Sequence, residues 1–224
     1  TQSAVRGSYL PTVGVQGGID HPPADENYRM RPGDHYQRTK AQGELLARRY
    51  FADGLPGVVV RPVGIYGPGD SRFLKLFRSI YRGYFVMIGS GKTLYHLTFI
   101  DDLVTGLVIC GRHPAALGEV FTIGGASHTT IAELVKVIAE ILGKPRPRWR
   151  IPFGPVFAAS VFCEKACSLI GATPPLYPRR VEFFQIDRAF TIEKAKRLIG
   201  YRPNTALREG LLKTASWYRE QELL

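Results

Sequence analysis

The run GVVVRPVG at residues 57–64 constrains the fold more than any other stretch of this chain. It is apolar and β-branched with almost no interruption. A strand with one wet face would alternate polar and apolar side chains, so this run reads as a strand buried on both faces, with a covering layer on each side. SYLPTVGV (8–15), YFVMI (84–88) and EVFTIGG (119–125) read as further strands. Helical patterns fall between them. Asp34 is placed to cap a helix running to about Ala52, with Leu45, Leu46, Tyr50 and Phe51 on its apolar side and Gly54 beyond its end. Ser71 and Asp101 are candidate caps for two more, and Thr130 with Glu133 has capping-box spacing before IAELVKVIAEIL. TIEKAKRLIG and ALREGLLKTASWYREQE close the chain as helices. Strands alternating with helices predict an α/β fold with a largely parallel sheet.

Composition removes several function classes. With 224 residues, 45% of them hydrophobic, the chain can bury a core. Three cysteines make no disulfide framework, and a reducing, cytoplasmic setting is expected. Cys163 and Cys167 stand four apart on a predicted helix, where buried thiols are expected rather than a metal site. The most apolar stretch, IPFGPVFAASVFC (151–163), contains two prolines and falls short of the roughly 18–20 residues that cross a bilayer. A buried or substrate-facing helix is expected there, with a position on a membrane surface as the alternative. The net charge of +11 is concentrated in part at PRPRWR (145–150) and YPRR (177–180). Neither lies in a nucleic-acid motif, so no nucleic-acid partner is expected; solvated side chains are the expectation, and a phosphorylated small molecule would suit them as well. Arg179 and Arg180 are either solvated or meet a ligand phosphate. His96 and His128 read as separate structural or surface histidines. GSGKT (89–93) ends like a phosphate-binding loop, but Val86 stands where its first glycine belongs.

The chemistry begins at DHYQRTK (34–40). On a helix Tyr36 and Lys40 point the same way. A free phenol titrates near pH 10, and a neighbouring ammonium favours its ionised form. A phenol so placed can take a proton from an alcohol while hydride leaves the carbon. Tyr-x-x-x-Lys also occurs on ordinary exposed helix faces, so the pair alone does not decide. Twenty-four residues before Tyr36 stands Thr12, where a strand ends in a glycine turn. Loops at the carboxyl ends of parallel strands are where such sheets bind ligands.

PTVGVQG, DHYQRTK, VVVRPVGIYGPGDSRF, FIDDLVTGLV and GEVFTIGG resemble, in order and spacing, the landmarks of the extended short-chain dehydrogenase/reductases, the NAD(P)-dependent epimerase/dehydratase group. The resemblance implies a Rossmann-like parallel sheet with a smaller mixed substrate-binding region. It implies residues 1–66 as the end of a cofactor-binding domain and 67–224 as the substrate region, with 98–125 returning to the sheet. Tyr36 is then the catalytic acid/base, Lys40 binds the nicotinamide ribose, and Thr12 orients the substrate oxygen. Pro62 and Val63 approach the nicotinamide. Gly64, Tyr66, Arg72, Tyr95 and Arg179 border the substrate. The cofactor is NAD or NADP. Asp102 is expected to cap a helix. A homodimer through the Tyr36/Lys40 helix is a further implication, with Leu45, Leu46 and Tyr50 serving either that contact or the core.

Departures from the family pattern shape the remaining expectations. No G-x-G-x-x-G occurs, so the chain is expected to be an N-terminal truncation that lacks the first strands and the pyrophosphate site and binds NAD(P) poorly. Pro11 precedes Thr12, where the family has a serine, and predicts a strand that is distorted or at a sheet edge. Tyr95 stands where nucleotide-sugar epimerases carry a pyrophosphate-binding Arg, and Gly64 where many carry Asn. The expected substrate is the secondary alcohol of a nucleotide sugar. The alternatives are a sterol dehydrogenase on the same scaffold, towards which the 151–162 segment leans, and a non-catalytic protein that keeps Tyr36 and Lys40 by descent.

Overall fold

A computed structural model describes residues 7–224 of the chain. In order, its strands and α-helices are β1 (Gly7–Tyr9), α1 (His35–Ala52), β2 (Gly57–Pro62), β3 (Gly64–Tyr66), α2 (Ser71–Tyr81), β4 (Met87–Ile88), β5 (Leu94–Tyr95), β6 (Leu97–Phe99), α3 (Ile100–Arg112), β7 (Val120–Ile123), β8 (Thr129–Thr130), α4 (Ile131–Ile141), β9 (Arg150–Ile151), α5 (Phe153–Leu169), α6 (Pro178–Glu182), α7 (Glu193–Ile199) and α8 (Leu207–Glu220). The chain divides into two compact units. The first holds residues 1–68, 96–128 and 188–214, and the second holds 69–95, 129–187 and 215–224.

In the first unit β2 is the middle of a parallel sheet of order β1-β2-β7, and all six of its residues are buried. The two sides of β2 meet different partners. Val58 and Val60 pack with Leu103 and Cys110 of α3, with Phe121 and Ile123 of β7, and with Tyr201. Arg61 faces Glu44 of α1. Burial drives the Cys110 thiol up to about 12, so it stays a protonated packing group. Gly106 lets α3 lie close to β7: a Cβ there would sit 2.8 Å from Cγ2 of Ile123. β3 and β6 form a separate parallel pair.

The strand expected over 8–15 ends at Tyr9, and a 3-10 turn, Val13–Gln16, follows. Pro11 has no N–H for a ladder, and β1 is the marginal strand of its sheet among the described residues. The aspartate pair also differs from expectation. Asp102 does not cap α3. Its carboxylate accepts the backbone N–H groups of Asn204 and Thr205 at 2.9 and 3.1 Å, tying the segment before α8 to the start of α3.

In the second unit Phe77 and Ile80 of α2 are buried, as are Leu134, Val135 and Ile138 of α4, and the two helices pack together. The Tyr218 ring meets Phe77 edge-on at 5.2 Å, and its hydroxyl donates to the carbonyl of Asp70. Asp70, not Ser71, caps α2 by accepting the N–H of Arg72. Thr130 caps α4 as the spacing predicts, accepting the N–H of Glu133 at 3.1 Å. β4 pairs with β9 in parallel, and β5 with β8 antiparallel. The helix expected to be buried or substrate-facing, α5, buries only Ser160. Cys163 and Cys167 are half-exposed on it.

Candidate active site

Asp34 starts α1. Its carboxylate accepts the N–H of Gln37 at 2.8 Å, which fixes the first turn and the direction in which Tyr36 leaves it. Tyr36 is 54% exposed, and Lys40 Nζ lies 5.9 Å from the centroid of its ring. The two side chains therefore share one open face of the helix. Gln37, between them in sequence, turns toward the 3-10 segment. Its Oε1 accepts the N–H of Gly33 at 2.8 Å, and its Cγ and Nε2 lie 3.5 Å from where a Cβ on Gly14 would sit. The turn therefore lies directly against α1.

Thr12 introduces the same turn. Its Oγ1 accepts the N–H of Gly14 at 3.2 Å, so the hydroxyl keeps its hydrogen for another acceptor. The next residue, Val13, packs in one apolar cluster with Val63, Ile19, Ala24 and Phe190. Pro62 and Val63 are buried where β2 ends, and the Val63 N–H donates to Ile123 at 3.1 Å. The Thr12 turn therefore touches α1, through Gly14 and Gln37, and the end of β2, through Val13 and Val63; α1 carries Tyr36 and Lys40, and the β2 end carries Pro62 and Val63. Tyr9 adjoins α1. Its hydroxyl donates to the Lys40 carbonyl at 3.3 Å, and burial, followed by the charges of Glu44 and Tyr36, raises its ionisation above the ordinary phenol range.

The other predicted residues have separate surroundings. Gly64 sits in β3 and donates to the His96 carbonyl at 3.1 Å. Tyr66 is buried, its ring edge-on to Phe99 at 5.6 Å and its hydroxyl 3.5 Å from the Leu207 carbonyl. In the second unit Arg72 lies against Asp70, with Nε and Nη2 each 3.1 Å from a carboxylate oxygen. The Tyr95 ring meets Phe183 at 4.9 Å. Arg179 is exposed on α6.

Two features escaped the sequence reading. The larger is a buried ion pair. Arg61 grips Glu44 with two hydrogen bonds, Nε to Oε2 at 2.9 Å and Nη2 to Oε1 at 2.6 Å, and its Nη1 donates to the Glu26 carbonyl at 3.0 Å. Glu26 in turn accepts the N–H of Thr122 at 2.7 Å through Oε1. Glu44 lies one turn after Lys40, and Arg61 directly precedes Pro62. One guanidinium therefore ties the Tyr36/Lys40 helix to the strand end beside it. The sequence carried a signal, since an arginine inside VVVRPV must find a partner if the strand is buried. The second feature is His96, which is not separate from His128: their rings meet edge-on at 6.4 Å. His96 is buried, its Nε2–H donates to the Gly125 carbonyl at 2.9 Å, and burial holds the imidazole below its ordinary range. Among the described residues no group of three or more His, Cys, Asp or Glu side chains is placed to hold a metal.

Comparison with known proteins gives this neighbourhood its context. A 3beta-hydroxysteroid-dehydrogenase/decarboxylase of Arabidopsis thaliana is 32% identical over 218 residues, covering 90% of this chain and 49% of that protein. A UDP-glucose 4-epimerase of Vibrio cholerae is 28% identical over 187 residues, covering 82% of this chain and 53% of that protein. The chain thus spans about half the length of the curated relatives it matches. Among solved structures, a UDP-glucuronic acid 4-epimerase of Bacillus cereus in complex with NAD superposes with a TM-score of 0.73 over 96% of this chain and 61% of that one, at 22% identity. That likeness shows the Rossmann-like α/β fold. The family model that matches residues 4–124 takes in the Thr12 turn, the Tyr36/Lys40 helix and the β2 end together, and the chain belongs to the NAD-dependent epimerase/dehydratase family.

Proposed function

We propose that this chain carries the catalytic set of an NAD(P)-dependent dehydrogenase that oxidises a secondary alcohol, with Thr12, Tyr36 and Lys40 as the working groups. The observation that carries the reading is the shared open face of Tyr36 and Lys40 at the start of α1, with the Thr12 turn lying against the neighbouring Gln37. The residue types suit a nicotinamide riboside: the first unit offers an apolar cluster with Val13 and Val63, and a phenol, a hydroxyl and an ammonium that can serve a ribose and a reacting oxygen. Lys40, Pro62 and Val63 would hold that end of the cofactor, which when bound accepts or returns the hydride. Tyr36 takes the proton of the substrate hydroxyl and returns it in the reverse direction. The Thr12 hydrogen donates to the same oxygen and fixes its position. Lys40 places a positive charge beside the phenol that carries the proton. In this reading residues 1–66, with 98–125, serve the cofactor, and the rest of 67–224 serves the substrate. Our candidates for substrate contact are Gly64 and Tyr66, and separately Arg72, Tyr95 and Arg179.

An apolar hydroxy compound of the sterol type is our first substrate class. The relative at 32% identity is named for a hydroxysteroid, and Tyr95 packs its ring on Phe183 where a sugar-nucleotide enzyme would place a cationic side chain. A nucleotide sugar is the second, supported by the epimerase relative. The test follows reduction of NAD+ or NADP+ with a 3β-hydroxysterol and with UDP-glucose, for the wild type and for Tyr36→Phe. Loss of the proton-transfer group lowers kcat by about 10²–10⁴-fold. Equal rates in the two proteins would overturn the assignment of Tyr36, and reduction with the nucleotide sugar alone would overturn the sterol assignment.

A further inference from the structure

Helix α5 presents its side chains in the wrong order for water. Ser160 is its one buried residue, and that hydroxyl donates to the Phe157 carbonyl of its own helix at 2.6 Å. On the opposite side Ala158, Phe162, Lys165 and Leu169 follow one another at three- and four-residue spacing, which places them in one row. Phe162 is 75% exposed and Leu169 88%, and Ile170, next in the chain, is 77% exposed. Three large apolar side chains so exposed at one end of a helix are costly in water and mark a surface that something else covers.

The charge around the helix indicates what covers it. Between Lys144 and Val181 the chain carries seven basic side chains and one acidic one, Glu164, a net of +6 out of the +11 of the whole protein. Arg146, Arg148 and Arg150 lead into α5 and are exposed, and Trp149 among them is 77% exposed. Arg179 and Arg180 lie exposed on α6, which packs against α5. Apolar side chains with flanking arginines and an exposed indole suit the boundary between lipid headgroups and acyl chains. Among the described residues no helix is long and apolar enough to cross a membrane, so the contact is peripheral. We propose that the outer face of α5, with the arginine-rich run that enters it, docks on an anionic phospholipid bilayer. The proposal is independent of the catalytic reading, since it uses none of its residues.

The test is co-flotation of the 224-residue protein with phosphatidylcholine vesicles, with and without phosphatidylserine, at low and high salt. The expected result is binding that requires phosphatidylserine and weakens with salt. Phe162→Ser with Leu169→Ser removes two exposed apolar side chains, leaves the helix folded by circular dichroism, and lowers the partition coefficient by at least about tenfold. Arg146→Gln with Arg148→Gln lowers it by about fivefold for each arginine. Three outcomes would overturn the proposal. One is absence of binding to phosphatidylserine vesicles. Another is binding that the double serine variant leaves unchanged. The third is concentration-dependent self-association that the same variant abolishes while vesicles stay unbound, which would assign the face to a second copy of this chain.

Discussion

Helices α1 and α5 both turn a polar side chain inward and apolar ones outward, but they are held in different ways. In α1 the inward residue is Glu44, fully buried, and a bidentate arginine answers it. In α5 it is Ser160, equally buried, and it bonds only to its own helix. A carboxylate under a strand has one stable arrangement, with its charge matched and its lone pairs filled. A serine hydroxyl that folds back on a carbonyl of the preceding turn fixes nothing outside its helix. The consequence is a difference in placement. Helix α1 is pinned at one register, so that Tyr36 and Lys40, two and one turns before Glu44, stand at a set height beside the end of β2. Helix α5 rests on diffuse packing, as suits a surface element.

The sharpest test of that contrast compares loss of the partner in each helix. Arg61→Met leaves Glu44 buried and unpaired, and costs about 3–5 kcal/mol in urea unfolding. Replacing both members, as in Arg61→Met with Glu44→Leu, returns most of that stability, because no buried charge remains. Catalysis should not return with it if the ion pair sets the height of Lys40. A refolded double variant with full activity would show that apolar packing positions α1 equally well. Ser160→Ala removes one neutral hydrogen bond within the helix and leaves no charge unpaired, and costs no more than about 1 kcal/mol. If the two single losses come out equal, the contrast between the helices fails.

A smaller effect probes whether the first unit depends generally on buried polar groups with fixed partners. Burial is the main cause that lowers the His96 ionisation, with the neighbouring His128 adding to it. The unfolded chain takes up this proton below about pH 6.5, while the folded chain resists it. Stability from this site is therefore complete above that pH, falls as the pH drops below it, and levels off at the folded value. His96→Gln should flatten this part of the profile between about pH 7 and 5.5, measured as the urea midpoint. An unchanged slope would assign the acid sensitivity to other groups.

Much of this was legible in the sequence, and the parts that were not share a cause. The alternation of strands with helices, the α1 start at Asp34 and the α4 cap at Thr130 were all readable, because each rests on spacing within a few residues. The double burial of 57–62 was readable from its unbroken apolar run. Glu44 was not recognised, since its partner lies 17 residues away and nothing local separates a paired glutamate from a solvated one. Asp102 looks like a cap for the same reason, since the backbone N–H groups that donate to it lie a hundred residues on. The outward apolar side chains of α1 and α5 mark a second limit. Leu45, Leu46 and Tyr50 at the helix surface show that apolar spacing says which residues share a face, not what that face meets.

The smallest expected effect returns to those outward faces. Phe162→Ser with Leu169→Ser on α5, and Leu45→Ser with Leu46→Ser on α1, remove side chains from the exposed surface of each helix. Substitutions at such positions stay within about 0.5 kcal/mol each, since little packing is lost. Both double variants should then unfold close to wild type. Their solution behaviour should separate them: the α1 variant reports on self-association through the Tyr36/Lys40 helix, measured by sedimentation, while the α5 variant leaves that state alone. If the α1 pair instead destabilises the monomer by several kcal/mol, its leucines belong to the core of the isolated chain. The outward faces of the two helices would then differ in kind, one structural and one reserved for a partner.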